Sequence, residues 1–428
     1  MAEQKRVAFY TLGCKVNQYD SEAMLEQFVK AGYQPVPFEE RADVYVVNTC
    51  VVTGTGEKKS RQMVRRAQKQ SAQADVVIAG CMAQRDAEKL LAWGVRLVVG
   101  NARRGDVVEL LHKATGENLS IAAVEDIRRV PFETLNLSGH TGYTRAVVKI
   151  QEGCDRFCTY CIIPYVRGGI RSRPVEEIAK EAERMAAAGF RELVITGIHV
   201  ASYGRDLIGV TLLDALRAAC EPEGITRVRL SSIEPVIVDE GFCRALKEMP
   251  KLCPQFHLAL QSGSDTVLKR MRRRYSVEAF RNAAALLRRY FPGCALTTDV
   301  LCGFPGETQE EHEETLAFLR EMAFSRIHAF PYSKRSGTPA ASMPGQLDKR
   351  VKALRTNEVI ALGDTMAVDY AKALLNTRQD VLFETAQRDG AEGYTPQYMR
   401  VWAQGARPGD ILNVKLTHYE HELFLGEI

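Results

Sequence analysis

Residues 7–332 alternate short β-branched apolar runs with amphipathic helical patterns. Strands and helices in that rhythm bury themselves as parallel sheets with helices on their faces. The alternation falls into two series. In the first, strands are expected at 7–13, 44–49, 75–80 and 96–100, and helices at 19–32, 56–70, 85–93 and 105–114. This predicts an α/β fold that begins with a doubly wound parallel sheet. Residues 115–145 read as a connector with one strand at 118–124. The second series has strands expected at 146–153, 191–197, 226–232, 255–261, 295–303 and 326–332. Helices are expected between them at 174–189, 211–220, 236–249, 276–291 and 309–322. Six such repeats predict a partial (β/α)6 barrel, with its reacting groups at the strand carboxyl ends. A helix at 348–374 follows. From residue 380 glycine and proline split the chain into short strands, so a small all-β barrel is expected.

The chain has no apolar run of eighteen residues, so no membrane span is expected. Its opening, MAEQKRVAFY, lacks the basic-then-apolar layout of a secretory leader, which predicts a cytoplasmic protein. In that setting eleven cysteines argue for metal or free thiols rather than a disulfide framework. The net charge is only +4, so any contact with nucleic acid must come from local basic patches.

The string EGCDRFCTYC places Cys154, Cys158 and Cys161 within eight residues, directly after the apolar run 146–150. Zinc sites are closed by four protein ligands, or by three that include histidine or carboxylate in catalytic sites, and this loop holds no histidine. Three thiolates suit a 4Fe–4S cluster and leave one iron free to bind a small molecule. Three more cysteines, Cys14, Cys50 and Cys81, each follow a strand of the first series. In a parallel sheet those strand ends share one edge, where ligands bind. From the pattern alone they are either small residues capping strands or a second ligand set.

A CxxxCxxC loop after the first strand of a six-repeat barrel resembles the radical S-adenosylmethionine enzymes, and Tyr160 before the third cysteine fits their motif. The resemblance implies that the open iron binds the amino and carboxylate groups of the cofactor, which then yields a 5′-deoxyadenosyl radical. TLGCKVNQYDSE, VVNTCVV and IAGCMAQ look like the amino-terminal domain of the methylthiotransferases. That implies a second 4Fe–4S cluster on Cys14, Cys50 and Cys81, where sulfur is methylated and delivered. The end of the chain, with GYTPQYMRV at 393–401, resembles a TRAM domain, an RNA-binding barrel. The domains expected on this basis are 1–115, 140–370 and 371–428. GCKVNQ resembles the branch acting on threonylcarbamoyladenosine at position 37 of tRNA; the isopentenyladenosine branch reads more like GCQMN and the ribosomal-protein aspartate branch more like GCPKN.

Other positions follow from the same resemblance. Thr196, Gly197 and His199 fall where the family grips the cofactor's amino group, although this chain has Thr-Gly-Ile-His in place of the usual Gly-Gly-Glu. Ser232 and Glu234 are placed to meet the ribose, with Gln261 and Asp299 on later strands, the last near the adenine. His199 either bridges cofactor and substrate or is a satisfied polar residue of the barrel mouth. Cys220 and Cys243 read as core, and Cys302 lies near the proposed mouth.

Basic residues cluster at Lys58, Lys59, Arg61, Arg65 and Arg66, at Arg167, Arg171 and Arg173, and at Arg270, Arg272, Arg273 and Arg274, followed by Arg288 and Arg289. Such runs are either solvated faces or phosphate contacts. With Tyr394, Tyr398 and Arg400 of the tail they are expected to track the tRNA anticodon loop, while Arg167 and Arg171 could instead face the cofactor carboxylate. A stacked adenine must be extruded into a pocket before it can react. The expected partners are tRNA, a reductant of flavodoxin or ferredoxin type and a sulfur donor, acting with a monomer. Competing readings are a radical enzyme that uses its second cluster only for electron transfer, and a non-catalytic iron–sulfur RNA-binding or sensor protein.

Overall fold

The computed structural model describes residues 4–128, 130–135, 137–139 and 144–428; the expected domain start at residue 140 lies outside them. The first part is a six-stranded, all-parallel sheet. Its strands are β1 (Arg6–Thr11), β2 (Gln34–Val36), β3 (Val44–Thr49), β4 (Asp75–Gly80), β5 (Leu97–Val99) and β6 (Ile121–Ala123), in the order β2-β1-β3-β4-β5-β6. Alternate side chains along each strand feed two separate cores. Tyr45, Val47 and Ile78 pack with Met63, Val64 and Ala67 of α2 (Gly54–Gln70) and with Met82 and Leu90 of α3 (Cys81–Leu91). Val46, Val77 and Val99 pack with Met24 and Phe28 of α1 (Lys15–Lys30) and with Val107 and Leu111 of α4 (Val107–Gly116). The sheet is therefore doubly wound, as the strand period of two requires when both faces are covered.

Strand order reverses between β1 and β3, because the chain places β2 on one side of β1 and then crosses to place β3 on the other. In open α/β sheets the crevice at such a switch point, outside the strand carboxyl ends, is where ligands sit. Cys14 and Cys50 flank that crevice. The pattern did not reveal β2, a three-residue edge strand that contains Pro35. It also placed the start of α3 four residues late.

The second part is an open barrel. β7 (Arg145–Glu152), β9 (Glu192–Gly197) and β10 (Arg227–Leu230) form one parallel run, with the two-residue antiparallel β8 (Arg171–Ser172) beside β7. β11 (Gln255–His257), β12 (Ala295–Cys302) and β13 (Arg326–Pro331) form the other. Isolated bridges, Val228 to Leu252 and Ile233 to Leu258, span the seam between the two runs. All six expected strands are present, with the helices between them on the outside. Cys243 and Cys302 are buried in this core and Cys220 packs against it; Cys302 is the last residue of β12, at the carboxyl end of that strand.

The first two parts are joined through shared core and buried charge. Tyr19 and Ala23 of α1 pack into the barrel core. Beside them, Asp20 of α1 and Glu152 of β7 meet Arg104, Lys149 and Arg167, all five nearly inaccessible to solvent. After the long helix Lys349–Leu374 the chain closes into a five-stranded barrel. Its strands are β14 (Arg378–Gln387), β15 (Gly390–Tyr394), β16 (Arg400–Gln404), β17 (Ile411–Glu420) and β18 (Leu423–Glu427). The segment 394–404, which reads as one strand, is broken by a turn at Thr395–Met399, where Tyr398 has φ +69° and Pro396 cannot continue the ladder. This barrel docks on the open one through Arg145 to Glu384 at 2.6 Å, Arg227 to the Asp380 carbonyl at 2.6 Å and Arg229 to the Pro396 carbonyl at 2.9 Å.

Candidate functional site: two thiol triads at one cavity

Cys154 begins the loop after β7. Gly153 before it has φ +73°, and a Cβ there would lie 1.7 Å from the Gly169 carbonyl oxygen, so only glycine permits the return of the chain past β8. Backbone bonds pin the loop on either side, from Cys154 N–H to the Gly168 carbonyl at 2.9 Å and from Thr159 N–H to the Met271 carbonyl at 3.0 Å. Burial pushes the Cys154 thiol up to about 11 and the Cys161 thiol up to about 12. Left alone they stay protonated, and a metal centre must displace their protons to bind. Gly153→Ala should therefore yield folded protein with roughly half the iron of the parent when both sites are loaded in vitro. Iron analysis of the purified variant checks this, and full iron content would refute it.

Cys14 and Cys81 each sit at a helix N-terminus, as the residue before α1 and the first residue of α3. At Cys14 burial pushes the thiol pKa up. Gly80 makes the second of these turns with φ +88°, and a Cβ would lie 2.3 Å from Asn48 Oδ1. The Cys50 sulfur packs against the Gly13 backbone, where a Cβ would lie 3.2 Å from it. Burial pushes Cys50 up to about 11, and the neighbouring Cys81 and Cys14 thiols add to the shift. The three cysteines, distant in sequence, are thus one group in space.

A cavity of about 500 Å³ lies between the triads. Cys154, Cys158 and Cys161 line it from the barrel side and Cys14 from the other; Cys50 and Cys81 stand behind Cys14, off its wall. Tyr160, Thr196, Gly197, His199, Ser232, Glu234, Gln261 and Asp299 all line the same cavity. Glu234 is the most constrained of them. Arg156 lies 3.0 Å, Arg273 2.9 Å and His199 Nε2 3.2 Å from its carboxylate. Burial would raise its pKa, but His199 and the two guanidinium charges outweigh burial and hold it at about 2. His199 is fixed from two sides, its N–H donating to Gln151 Oε1 at 2.7 Å and its Nδ1 lying 2.6 Å from Ser202 Oγ. It is both a satisfied residue of the mouth and part of the cavity wall.

The arginines sort differently from their sequence clusters. Arg273 lies in the cavity wall with its side chain 8% exposed, 3.2 Å from Cys158 Sγ, with Tyr275 OH at 2.9 Å from its Nε. Arg167 is fully buried and its Nε donates to Cys81 Sγ at 3.2 Å, so it faces neither tRNA nor the cavity. Arg171 donates to the Ile127 carbonyl, and Arg173 pairs with Glu181 at 2.6 Å. Arg270 is held by Glu311, Arg288 by the Met322 and Ala323 carbonyls, and Arg289 by Glu240. Arg65, Arg66, Arg272 and Arg274 remain on the surface. Arg400 pairs with Glu392 at 2.7 Å. Tyr394 and Tyr398 stack on each other, 4.8 Å apart, under Arg145, and Tyr398 also carries Arg229 at 4.6 Å and reaches the cavity. Sequence reasoning did not single out Lys15, Arg156, Arg229 or His257, all of which line the cavity.

The residues present fit two clusters and a polar cofactor. Among the described residues, no three His, Cys, Asp or Glu side chains form a group that could hold a single metal ion. Two sets of three free thiols, each with a guanidinium on one sulfur, match the thiolate ligation and sulfur hydrogen bonding of iron–sulfur centres. His199 Nε2 and Glu234 Oε2 face each other at 3.2 Å and His257 Nε2 lies 3.4 Å from Asp299, so the cavity wall is lined by polar groups suited to a polar ligand.

Comparison with known proteins agrees with this reading. The family model Radical SAM superfamily matches residues 148–319, and Uncharacterized protein family UPF0004 matches residues 6–100. The chain is 43% identical to the threonylcarbamoyladenosine tRNA methylthiotransferase MtaB of Bacillus subtilis (strain 168), across 96% of this chain and 93% of that one. It is 35% identical to the protein of the same name from Thermotoga maritima, across 98% and 96%. Among solved structures, the radical S-adenosylmethionine methyltransferase TsrM of Kitasatospora setae, with cobalamin and a [4Fe-4S] cluster bound, superposes with a TM-score of 0.57 at 14% identity, across 79% of this chain and 74% of that one; at that identity the likeness concerns the fold. With two thiol triads, an open barrel between them and relatives of this closeness along nearly its whole length, the chain belongs to the radical S-adenosylmethionine methylthiotransferase family, on the threonylcarbamoyladenosine tRNA branch.

Proposed function

We propose that this protein methylthiolates carbon 2 of N6-threonylcarbamoyladenosine at position 37 of tRNA. The observation that carries the reading is the shared cavity: Cys14 of one triad and Cys154, Cys158 and Cys161 of the other open onto the same space. A radical site and a sulfur-delivering site must both reach one adenine, and a common cavity meets that need. When bound, the two 4Fe–4S clusters and S-adenosylmethionine supply the electron, the radical and the methylated sulfur.

The chain's own residues bind, orient and shield. Cys154, Cys158 and Cys161 would hold the radical-generating cluster, and Cys14, Cys50 and Cys81 the auxiliary one. With three thiols each, either set would leave an iron of a 4Fe–4S cluster open to a further ligand. Arg273 bridges Cys158 Sγ and Glu234, so one side chain would tie the position of a cluster on Cys158 to the cofactor-binding wall at Glu234. Gln151, donating to the Glu152 and Gly153 carbonyls, fixes the strand end and holds the His199 backbone over the cavity. Thr196, Gly197, Ser232, Gln261 and Asp299 complete the cofactor wall. The division 1–115, 140–370 and 371–428 then corresponds to auxiliary-cluster, radical and TRAM-type RNA-binding domains. Arg65, Arg66, Arg272, Arg274 and Arg400 supply exposed phosphate contacts. Tyr398, with Tyr394 stacked on it, brings aromatic surface to the cavity's edge where an extruded nucleotide would enter. A flavodoxin- or ferredoxin-type reductant and a separate sulfur donor serve a monomer in the cytoplasm.

The test is a triple variant with Cys14, Cys50 and Cys81 changed to alanine, incubated anaerobically with reductant, cofactor and tRNA carrying threonylcarbamoyladenosine. It should form 5′-deoxyadenosine but no methylthio product by mass spectrometry. Full methylthiolation by this variant would sink the scheme. Preference of the parent protein for isopentenyladenosine tRNA would reassign the branch.

A further inference from the structure

Lys15 is the first residue of α1, directly after Cys14, and its side chain lines the cavity between the triads. Among the described residues it has neither a hydrogen-bond nor an ion-pair partner. A cation there works against the α1 dipole, and no acidic residue in the first turn offsets it. The nearby Arg229 also lines the cavity, but its donors are committed: Nε to Glu192 at 2.9 Å, Nη1 to Gln255 at 3.3 Å and Pro396 at 2.9 Å, and Nη2 to Thr395 at 3.4 Å. Glu192, the carboxylate that acts on Lys15, is held in turn by Arg229 and by Arg227 at 3.7 Å. The Arg229 charge is thus matched by Glu192, and Lys15 is the cation here with free donors.

The other cations of the cavity wall are matched by carboxylates: Arg156 and Arg273 by Glu234, Arg229 by Glu192 and Arg326 by Glu422. Lys15 is the lining cation left without one among the described residues, so a ligand that carries a carboxylate finds its unmatched positive charge there. Two molecules could bring one: a tRNA base whose N6 substituent ends in an amino acid, or the methionine moiety of the cofactor. A dimethylallyl substituent carries no charge and has no use for an unpaired ammonium.

The geometry points to Lys15 as the specificity-determining residue that receives the threonine carboxylate of the modified adenine; this inference rests on the function proposed above. It gives a physical reason for lysine after the first cysteine of GCKVNQ. A charge-assisted hydrogen bond of this kind is worth about 10- to 100-fold in affinity.

The experiment compares the parent protein with Lys15→Met and Lys15→Arg, each first matched for iron content. Dissociation constants are measured for tRNA with threonylcarbamoyladenosine and for the same tRNA with plain adenosine, and KM values are measured for both tRNA and S-adenosylmethionine. Lys15→Met should weaken binding of the modified tRNA and raise its KM roughly 10- to 100-fold. Affinity for the plain tRNA and the KM for S-adenosylmethionine should hold, and Lys15→Arg should recover most of the loss. An equal loss on the plain tRNA would mean a phosphate contact or a structural role and overturns the inference. A raised KM for S-adenosylmethionine would assign the carboxylate to the cofactor and overturns it too, as does no change at all. Failure of the parent protein itself to methylthiolate the modified tRNA would be a separate result, one that overturns the proposed function beneath.

Discussion

Asp20→Ala should destabilise the folded protein by about 3–5 kcal/mol, seen as a fall in the denaturant midpoint, because it leaves buried cations without their counter-charge. Asp20 is 1% exposed and meets Arg104, Lys149 at 2.5 Å and Arg167 at 3.4 Å. Without it, those three cations share Glu152 and the half-buried Glu133. The group straddles the joint between α1 of the first sheet and β7 of the barrel, so the loss falls on how the two parts hold together. Asp20→Asn should cost nearly as much, since shape is kept and charge is not. Breaking the exposed Arg281–Glu321 pair with Glu321→Ala should leave the midpoint almost unmoved. A second readout ties the joint to the site. Arg167 donates to Cys81 Sγ from the same group, so the Asp20 variants should also change the reduction potential of the auxiliary centre. An Asp20→Ala protein with an unchanged midpoint would show that the charges relax into solvent.

The alternation of apolar runs and helices made both sheets and most of the cysteine placement legible, because period and composition are local properties. The sequence alone sets Cys14 and Cys50 at one sheet edge, since parallel strands end on the same side. What was not legible is non-local. The runs that hold Arg167 and Arg273 look like any exposed basic cluster until Glu152, Asp20 and Glu234, which are distant or unremarked in sequence, are found closing on them. A charge in a sequence does not say whether its counter-charge arrives from another element. Lys15 is the converse case: it stands in a short motif, but its lack of a partner emerges only when the cavity around it is closed. The short β2 and β8 also went unseen, because two or three residues carry no period to read.

Glu234→Gln should lower kcat/KM for 5′-deoxyadenosine formation by about 100-fold, the loss expected when two charge-assisted contacts at one site fail together. The carboxylate holds Arg156 at 3.0 Å and Arg273 at 2.9 Å, and Arg273 in turn touches Cys158 Sγ. An amide is neutral and presents one acceptor, so it cannot balance both guanidiniums, and the cluster loop and the cofactor wall lose their common register. Glu234→Asp keeps the charge and should lose less. The sign of the pH dependence follows from the same contacts. The carboxyl is held at about 2, below its ordinary 4.5, so its contribution is fully present above about pH 4.5 and is lost as pH falls through about 2. Between pH 5 and 8 the parent protein should therefore bind S-adenosylmethionine with no step traceable to this residue. Glu234→Gln, neutral at every pH, should be impaired by the same factor across that whole range. A variant that recovers parent-like activity at any pH in the range would show that positioning by His199 and Gln151, rather than the charge on Glu234, sets the site.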